Sequence, residues 1–225
     1  MELSEGEVLD DLLIDNLKII QNVNLYRFTS DSVLLSRFAQ VKANDVVADF
    51  CAGSGIVGLH FYALHAPLVQ SVTLFELQPQ LYEMSKKTIE LNGLQDKFSA
   101  ICCPVQKMPR EYCGKFSLIL CNPPYESGGF DHADEKKAMC RKEIYLSLAE
   151  LCKAASFHLK YGGRFCLCHR ADRMAEVMYT LHANGLEPKR AELVAGKAGG
   201  EPYLLLLEAV KGGKPGIKVA PMSVN

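Results

Sequence analysis

The stretch LILCNPPYE places an amide, two rigid rings and an aromatic face side by side, as Asn122, Pro123, Pro124 and Tyr125. The side-chain oxygen of Asn122 and the carbonyl of Pro123 can each accept one N–H of a planar, weakly nucleophilic amine. Two such acceptors aim the nitrogen lone pair at an electrophile, and the proline rings hold the acceptors in place. Tyr125 offers a face on which a flat group can stack. The tetrapeptide therefore predicts a site for an exocyclic amine or an amide, although two prolines alone also make a plain turn.

A glycine-rich turn occurs earlier in the chain, in DFCAGSGIVGL (49–59). Gly53 and Gly55 allow the backbone to turn tightly and to approach a ligand closely. The pattern is D-x-x-x-G-S-G, which differs from the G-x-G-x-x-G of dinucleotide-binding folds. Its first residue, Asp49, would repel a pyrophosphate and suits a ligand that carries an ammonium or sulfonium group. We therefore predict that these three residues bind a cationic small molecule.

Glu76 ends the next apolar run, SVTLFEL (71–77). In a doubly wound sheet, an acid at the end of the second strand is placed to accept hydrogen bonds from ribose hydroxyls. A strand-end charge that faces solvent is the alternative for this residue alone. Together with the glycine-rich turn, Glu76 predicts a ligand that contains a ribose.

An alternation of apolar runs and helical patterns over about residues 44–185 must position these motifs. Strands are predicted at 45–50, 71–77, 97–103, 116–121 and 164–170, and helices at 54–66, 79–92, 139–160 and 171–184. A YGG turn is predicted at 161–163, and the runs 187–196 and 201–210 predict a closing antiparallel hairpin. The pattern indicates an α/β fold with a mostly parallel sheet and with ligands at the carboxyl ends of the strands.

Two shorter regions flank this pattern, one at the N-terminal and one at the C-terminal side. Residues 1–41 are predicted to form an extension that packs on a catalytic domain of residues 42–210. Within the extension, Thr29 or Ser30 can cap a helix at 31–40. Residues 211–225 are rich in Gly, Pro and Lys, which predicts an irregular tail.

The formal net charge of −1 hides an uneven distribution. Residues 1–16 hold six of the 26 acids and no base, so the rest of the chain carries 25 bases against 20 acids. Basic residues cluster in EKKAMCRKE (135–143) as Lys136, Lys137, Arg141 and Lys142. This bias is compatible with contacts to nucleic acid phosphates, and a solvated helix face is the alternative.

The nine cysteines and the apolar pattern suggest a reducing compartment. The cysteine count is odd and no CxxC pair occurs, so we predict buried free thiols without disulfides and without a metal site.

No apolar stretch approaches the ~18 residues that span a bilayer. The acidic N-terminus lacks the basic start and apolar core of a signal peptide. These observations predict a cytoplasmic protein that does not bind a membrane, and they leave its oligomeric state open.

Over about residues 45–210 the motifs together resemble the class I S-adenosylmethionine (SAM)-dependent methyltransferases of the N-P-P-Y type. The resemblance implies a Rossmann-like fold with a seven-stranded sheet, SAM as the cofactor, and direct methyl transfer to an exocyclic nitrogen. It implies that Asp49, Gly53 and Gly55 lie at the methionine end of the cofactor and that Glu76 binds its ribose. It also implies that Asn122, Pro123 and Tyr125 are catalytic, and that Pro124 joins them in binding the target base.

One departure from this pattern concerns the cofactor adenine. After the third strand the chain reads AICCPVQKM, with Cys103 and Pro104 where a Gly-Asp pair is common in such enzymes. Proline supplies neither a carboxylate nor an N–H. The backbone N–H of Val105, or another neighbour, is therefore expected to bind the cofactor adenine.

A narrower resemblance comes from the N-terminal segment. DDLLIDNLKIIQNVNLYRFTSDSVLLSRFA (10–39), followed by DFCAGSGIVGL, is similar to the bacterial tRNA1(Val) (adenine-37) N(6)-methyltransferase family, as is the GGKPGIKV near the end. This resemblance implies methylation of N(6) of adenosine 37 in the anticodon loop of tRNA(Val). The basic cluster at 135–143 would then bind tRNA phosphates.

Four alternatives stay open at this point. A glutamine amide also presents a pair of N–H groups, so a release factor could be the substrate, although that family normally carries a longer helical N-terminal domain. A guanine of ribosomal RNA or an adenine of DNA would suit the same motif, although a DNA enzyme would need a recognition domain. A non-enzymatic, SAM-binding scaffold on RNA is supported only by Pro104.

Overall fold

The central sheet of this protein buries apolar side chains on both of its faces. The structure, a computed structural model, describes residues 3–25, 28–124 and 146–225. The strands are β1 (Glu7–Asp11), β2 (Lys18–Asn22), β3 (Asp45–Phe50), β4 (Val69–Glu76), β5 (Phe98–Cys102), β6 (Phe116–Cys121), β7 (Leu159–Arg170), β8 (Leu186–Ala195), β9 (Pro202–Lys211), β10 (Lys218–Val219) and β11 (Ser223–Val224). The helices are α1 (Ser30–Phe38), α2 (Ile56–His65), α3 (Pro79–Leu91), α4 (Leu148–His158) and α5 (Met174–Ala183).

Alternate residues of each central strand enter opposite hydrophobic cores. Ile119 packs in a core with residues of α4 and α5, whereas Leu118 and Leu120 pack in a core with residues of α1, α2 and α3. Strands covered on both faces read as continuous apolar runs, which is why FSLILC and DVVADF are recognisable in the sequence.

The order of the strands in this sheet is β10-β8-β9-β7-β6-β3-β4-β5, and β11 also pairs with β8. Strands β3 to β7 are mutually parallel, and β9 runs antiparallel to both β7 and β8. The predicted α/β class, the mostly parallel sheet and the closing hairpin are confirmed. The predicted count of seven strands is wrong, because two short strands of the tail, β10 and β11, pair in parallel with β8 and make the sheet nine-stranded.

The predicted YGG turn at 161–163 is also wrong. These residues lie inside β7, which begins at Leu159. Phe116 pairs with Leu159 and Leu118 with Arg164, so one residue of β6 stands opposite four residues of β7. The two glycines serve this irregular pairing, in which Gly162 has a φ of 74°.

The helix predicted at 139–160 is observed as α4 from Leu148, and residues 139–145 lie outside the described residues. It begins with a capping box, in which the Ser147 hydroxyl accepts from the Glu150 N–H and the Glu150 carboxylate accepts from the Ser147 N–H. The helix predicted at 171–184 is observed as α5 after a short 3-10 turn.

Residues ahead of β3 contact the sheet domain at two places. The hairpin of β1 and β2 packs on α3, where the Ile20 N–H donates to the Thr88 hydroxyl at 3.1 Å. The end of α1 is held by two arginines of the sheet. Arg164 donates to the Gln40 carbonyl, and Arg190 donates to the Phe38 carbonyl at 3.2 Å. Helix α1 is therefore attached to the sheet, and the boundary between an extension and a catalytic domain near residue 41 stays a proposal.

Candidate functional site

A cavity of about 330 Å³ lies at the carboxyl ends of β3, β4, β5 and β6. Its walls come from the start of α1, from the segment that follows each of these four strands, and from Leu146. Of the predicted site residues, it is lined by Gly53, Glu76, Val105, Asn122, Pro123 and Pro124. Ligands of open α/β sheets bind at this edge, so the cavity is the candidate active site.

The glycine-rich turn forms the floor of the cavity after β3. Gly53 and Gly55 have φ values of 59° and 90°, a region that side chains disfavour. A Cβ on Gly55 would lie 2.8 Å from Cδ1 of Leu74, whereas a Cβ on Gly53 would meet no atom within 4 Å. Gly55 is thus required for the packing of α2 against the sheet, and Gly53 leaves open space above the backbone.

Glu76 closes the turn from the neighbouring strand. Its Oε2 accepts from the Gly53 N–H at 2.7 Å, and its Oε1 accepts from the Gln78 N–H at 2.8 Å. Burial raises the pKa of this carboxyl, and the backbone hydrogen bonds counteract that rise. Each carboxylate oxygen keeps a lone pair, so the group can also accept hydroxyl protons from a ligand.

Asp49 stands behind the cavity wall and does not line it. The side chain is fully buried, and its Oδ2 accepts from the Gly58 N–H in the first turn of α2 at 2.8 Å. The other oxygen, Oδ1, has no hydrogen-bond partner among the described residues. Burial raises the pKa of Asp49 to about 7, and the nearby charge of Glu76 adds to the rise. These contacts are those of a helix cap, and a direct contact with a ligand stays a prediction.

The raised pKa of Asp49 predicts that stability falls as pH rises. Between about pH 4 and pH 7 the unfolded chain has released this proton while the native state retains it, so the free energy of unfolding falls over this interval. A shift from 3.8 to about 7 corresponds to at most about 4 kcal/mol. Asp49→Asn cannot ionise, so its stability relative to the unmodified protein should improve from pH 5 to about pH 7 and then level off. Urea unfolding at unit steps of pH measures this difference.

The exposed Asp96 supplies the matched control for that experiment. Asp96→Asn makes the same change of side chain at the surface, and the two variants are compared at each pH. Stability curves of Asp49→Asn and the unmodified protein that run parallel from pH 5 to pH 8 would contradict the buried-acid interpretation.

The segment after β5 turns into the cavity at the two residues that replace the common Gly-Asp pair. Cys103 and Pro104 line the cavity, and Val105 begins a short 3-10 turn that ends at Lys107. The first N–H of such a turn has no partner within it. Val105 lines the cavity, and a contact of its backbone N–H with a base stays a prediction.

Asn122 is held by hydrogen bonds at both ends of its side-chain amide. Its Nδ2 donates to the Ser32 hydroxyl at 2.9 Å, and its Oδ1 accepts from the Cys168 thiol at 3.0 Å. Ser32 belongs to α1 and Cys168 to β7. Pro123 and Pro124 continue from Asn122 along the cavity wall.

The start of α1 was missed as part of the site. Phe28, Thr29, Asp31 and Ser32 line the cavity. The sequence predicted a helix start in this segment and a resemblance to a family, but no contact with the site. Thr29 occupies the N-cap position, but its side chain makes no capping hydrogen bond. The sequence TSDS could have indicated a site here, because a helix N-cap needs one small polar residue and this segment has four in a row.

Several predicted site residues cannot be placed. Tyr125, Lys136, Lys137, Arg141 and Lys142 lie outside the described residues, so their roles stay predictions. Across the described ranges, no group of three or more His, Cys, Asp or Glu side chains could hold a metal ion. The helices described here include none that is long and apolar enough to cross a membrane.

Comparison with known proteins gives a family match and a likeness of fold. The profile of the methyltransferase small domain family matches residues 29–183. A tRNA1(Val) (adenine(37)-N6)-methyltransferase of Flavobacteriaceae bacterium (strain 3519-10) is 28% identical over 188 residues, which cover 84% of this chain and 78% of that protein. A relative of the same name from Shewanella halifaxensis (strain HAW-EB4) is 26% identical over 191 residues, with 83% and 76% covered. The structure of a predicted O-methyltransferase from Agrobacterium tumefaciens has a TM-score of 0.67 at 19% identity and covers 86% of each chain.

Proposed function

Because this chain belongs to the methyltransferase small domain family, it is a SAM-dependent methyltransferase, and we propose that it methylates the 6-amino group of an adenine in RNA. The proposed nucleotide is adenosine 37 in the anticodon loop of tRNA(Val). The observation that carries the proposal is that Asn122 and Pro123 line the same cavity as Gly53 and Glu76. The proposed acceptors of the substrate amine, Asn122 and Pro123, therefore lie in one cavity with Glu76, the proposed acceptor for the cofactor ribose. The names of the curated relatives support the choice of tRNA.

The walls of the cavity fit SAM by their chemistry. Glu76 presents carboxylate oxygens for ribose hydroxyls, and Val105 presents a backbone N–H for the adenine. Gly53 leaves open space for the methionine part, and Gly55 behind it allows the close packing of the turn against Leu74. Asp49 also lies behind the cavity wall, where it holds the turn to α2. When bound, the cofactor supplies a methyl group on a positively charged sulfur. A cation near Asp49 would favour the ionised form of that carboxyl.

Asn122 and Pro123 act on the nucleophile in the proposed mechanism. The amide oxygen of Asn122 and the carbonyl of Pro123 accept the two N–H groups of the adenine amine, which frees its lone pair from the ring. An amide oxygen has two lone pairs, so the Asn122 Oδ1 can accept from the substrate while it accepts from Cys168. The nitrogen becomes cationic as it is methylated and then loses a proton to water, so no strong general base is required.

The RNA contacts in this proposal involve residues outside the described ranges. Tyr125 would stack on the adenine, which is splayed out of its loop as unpaired bases commonly are. Lys136, Lys137, Arg141 and Lys142 would neutralise backbone phosphates. A cytoplasmic location belongs to the same proposal, because it follows from tRNA as the substrate.

Methyl transfer from isotopically labelled SAM tests this function. The purified protein is offered an unmodified tRNA(Val) transcript, the same transcript with guanosine at position 37, ribosomal RNA, DNA and a release factor. Label should enter only the first transcript and should be recovered as N(6)-methyladenosine after digestion to nucleosides. Label in the release factor, in DNA or in ribosomal RNA would overturn the assignment in favour of that substrate.

A further inference from the structure

We propose that Ser32 and Cys168 are positioning residues that hold the side-chain amide of Asn122 in the orientation that methyl transfer requires. The inference rests on the proposed role of Asn122 as an amine acceptor. It assigns a function to one residue of α1 and to one of the nine cysteines, neither of which belongs to the N-P-P-Y motif.

The three residues come from separate elements that meet at the cavity. Ser32 lies in the first turn of α1, Asn122 follows β6, and Cys168 lies near the end of β7. The Asn122 Nδ2 is 2.9 Å from the Ser32 Oγ, and its Oδ1 is 3.0 Å from the Cys168 Sγ. Ser32 and Cys168 are both buried, which limits the competition of water for these contacts. The amide is therefore bonded at its nitrogen and at its oxygen by buried groups.

The polarity of these partners selects one of the two amide orientations. A half-turn about the terminal bond of Asn122 would exchange its oxygen and its NH₂ group. Burial raises the pKa of the Cys168 thiol well above its usual range, so the sulfur keeps its proton and acts as a donor. In the exchanged orientation, the NH₂ group would face this S–H, and a buried donor would lose its acceptor. The Cys168 thiol thus favours the orientation in which Oδ1 is the acceptor near β7.

A fixed acceptor oxygen benefits the reaction because it needs no rearrangement when the amine arrives. Catalytic acceptors lose much of their effect when they can rotate out of position, since the reacting groups must then be ordered in every cycle. A thiol is a weak donor, so it orients the Asn122 oxygen while leaving its second lone pair available. The Ser32 hydroxyl accepts a hydrogen bond from the NH₂ group of Asn122. This contact keeps the NH₂ group from turning toward the substrate.

Helix α1, which carries Ser32, is hydrogen-bonded to the rest of the protein near both of its ends. The C-terminal end of α1 is fixed to the sheet by Arg164 and Arg190, as described above. Near its N-terminal end, the side chain of Asn225 donates to the Ser30 hydroxyl at 2.8 Å. A positioning group on an element held at both ends keeps its geometry, which is what an accurately placed acceptor needs.

Two pairs of matched variants test the proposal by steady-state kinetics. Ser32→Ala should lower kcat for tRNA methylation about tenfold and Cys168→Ala about threefold, with the dissociation constant of SAM unchanged. Cys168→Ser keeps a donor and should remain within about twofold of the unmodified protein. Ser36→Ala is the control on the same helix, because the buried Ser36 hydroxyl contacts His60. Cys166→Ala is the control on the same strand, because its thiol donates to Glu208.

The double variant of Asn122→Ala and Ser32→Ala separates positioning from general loss of structure. If Ser32 acts through Asn122, the double variant should be no slower than Asn122→Ala alone. Additive losses, or a Ser32→Ala protein as active as Ser36→Ala, would overturn the proposal.

A measurement on the free protein tests the same geometry without the reaction. The side-chain NH₂ protons of Asn122, assigned in NMR spectra by their loss in Asn122→Ala, should exchange slowly with water. Exchange should accelerate at least about tenfold in Ser32→Ala and stay unchanged in Ser36→Ala. Equal exchange in the two variants would overturn the positioning role. Absence of tRNA methylation by the unmodified protein would overturn only the proposed substrate.

Discussion

Replacing Asn122 with alanine should lower the rate of methyl transfer by about 100- to 1000-fold, which is the usual effect of removing one preorganised group that stabilises a transition state. Asn122→Ala removes one of the two acceptors for the amine, and it leaves the cofactor side of the cavity intact. The affinity for SAM should therefore change by less than about threefold. Single-turnover methylation and titration of SAM, measured separately, give these two quantities.

Asn184 provides the matched control for this substitution. It caps the end of α5 through its side-chain N–H groups, which donate to the Thr180 carbonyl at 2.8 Å. It does not line the cavity. Asn184→Ala should keep the unmodified rate. An Asn122→Ala protein that also keeps this rate would show that the acceptor mechanism is wrong.

Replacing Glu76 should weaken SAM binding by about 100-fold for alanine and by about tenfold or more for glutamine. Both oxygens of Glu76 accept backbone N–H groups, from Gly53 and Gln78, so neither oxygen can be replaced by an NH₂ group without a clash of donors. The glutamine variant therefore tests acceptor chemistry at almost unchanged size. Glu76→Ala in addition leaves the N–H groups of Gly53 and Gln78 without an acceptor and removes the acceptor for the ribose. Each tenfold loss of affinity corresponds to about 1.4 kcal/mol of binding free energy.

Isothermal titration with SAM measures this effect, and thermal unfolding shows whether each variant is folded. Glu83 lies on α3, with a side chain 57% exposed, and Glu83→Gln is the control. Its affinity for SAM should equal that of the unmodified protein. A folded Glu76→Gln protein with unchanged affinity would remove this residue from the proposed cofactor site.

The elements that position the site were predictable because their signals are local. Strands β3 and β6 are buried on both faces and therefore read as unbroken apolar runs. Parallel strands place their carboxyl ends at one edge, so Gly53, Glu76 and Asn122 could be expected to meet. All three line the observed cavity. The predicted turn at 161–163 failed because its glycines serve an irregular strand pairing, which depends on the partner strand β6.

The contacts that complete the site depend on tertiary packing and could not be read from local sequence. Ser32 and Cys168 are 90 and 46 residues away from Asn122, and neither has a spacing relation to it. The cysteines were interpreted as small buried apolar residues. That is correct for the burial of Cys121, Cys152, Cys166 and Cys168, and it is wrong for Cys102 and Cys113, which are exposed on the surface. It also overlooks the Cys168 thiol as a donor. The short strand β11 depends in the same way on the free edge of β8.

The position of β3 between β4 and β6 has a consequence for how the protein folds. We expect β3 to pair with β4 before it pairs with β6, because a shorter connection joins β3 to β4 than joins β3 to β6. Contacts of high sequence separation are the slow ones in folding, and the partners of Asn122 are of this kind. A partly folded chain therefore holds no complete cavity. We therefore expect refolding protein to regain SAM binding only when these pairings of high sequence separation have formed.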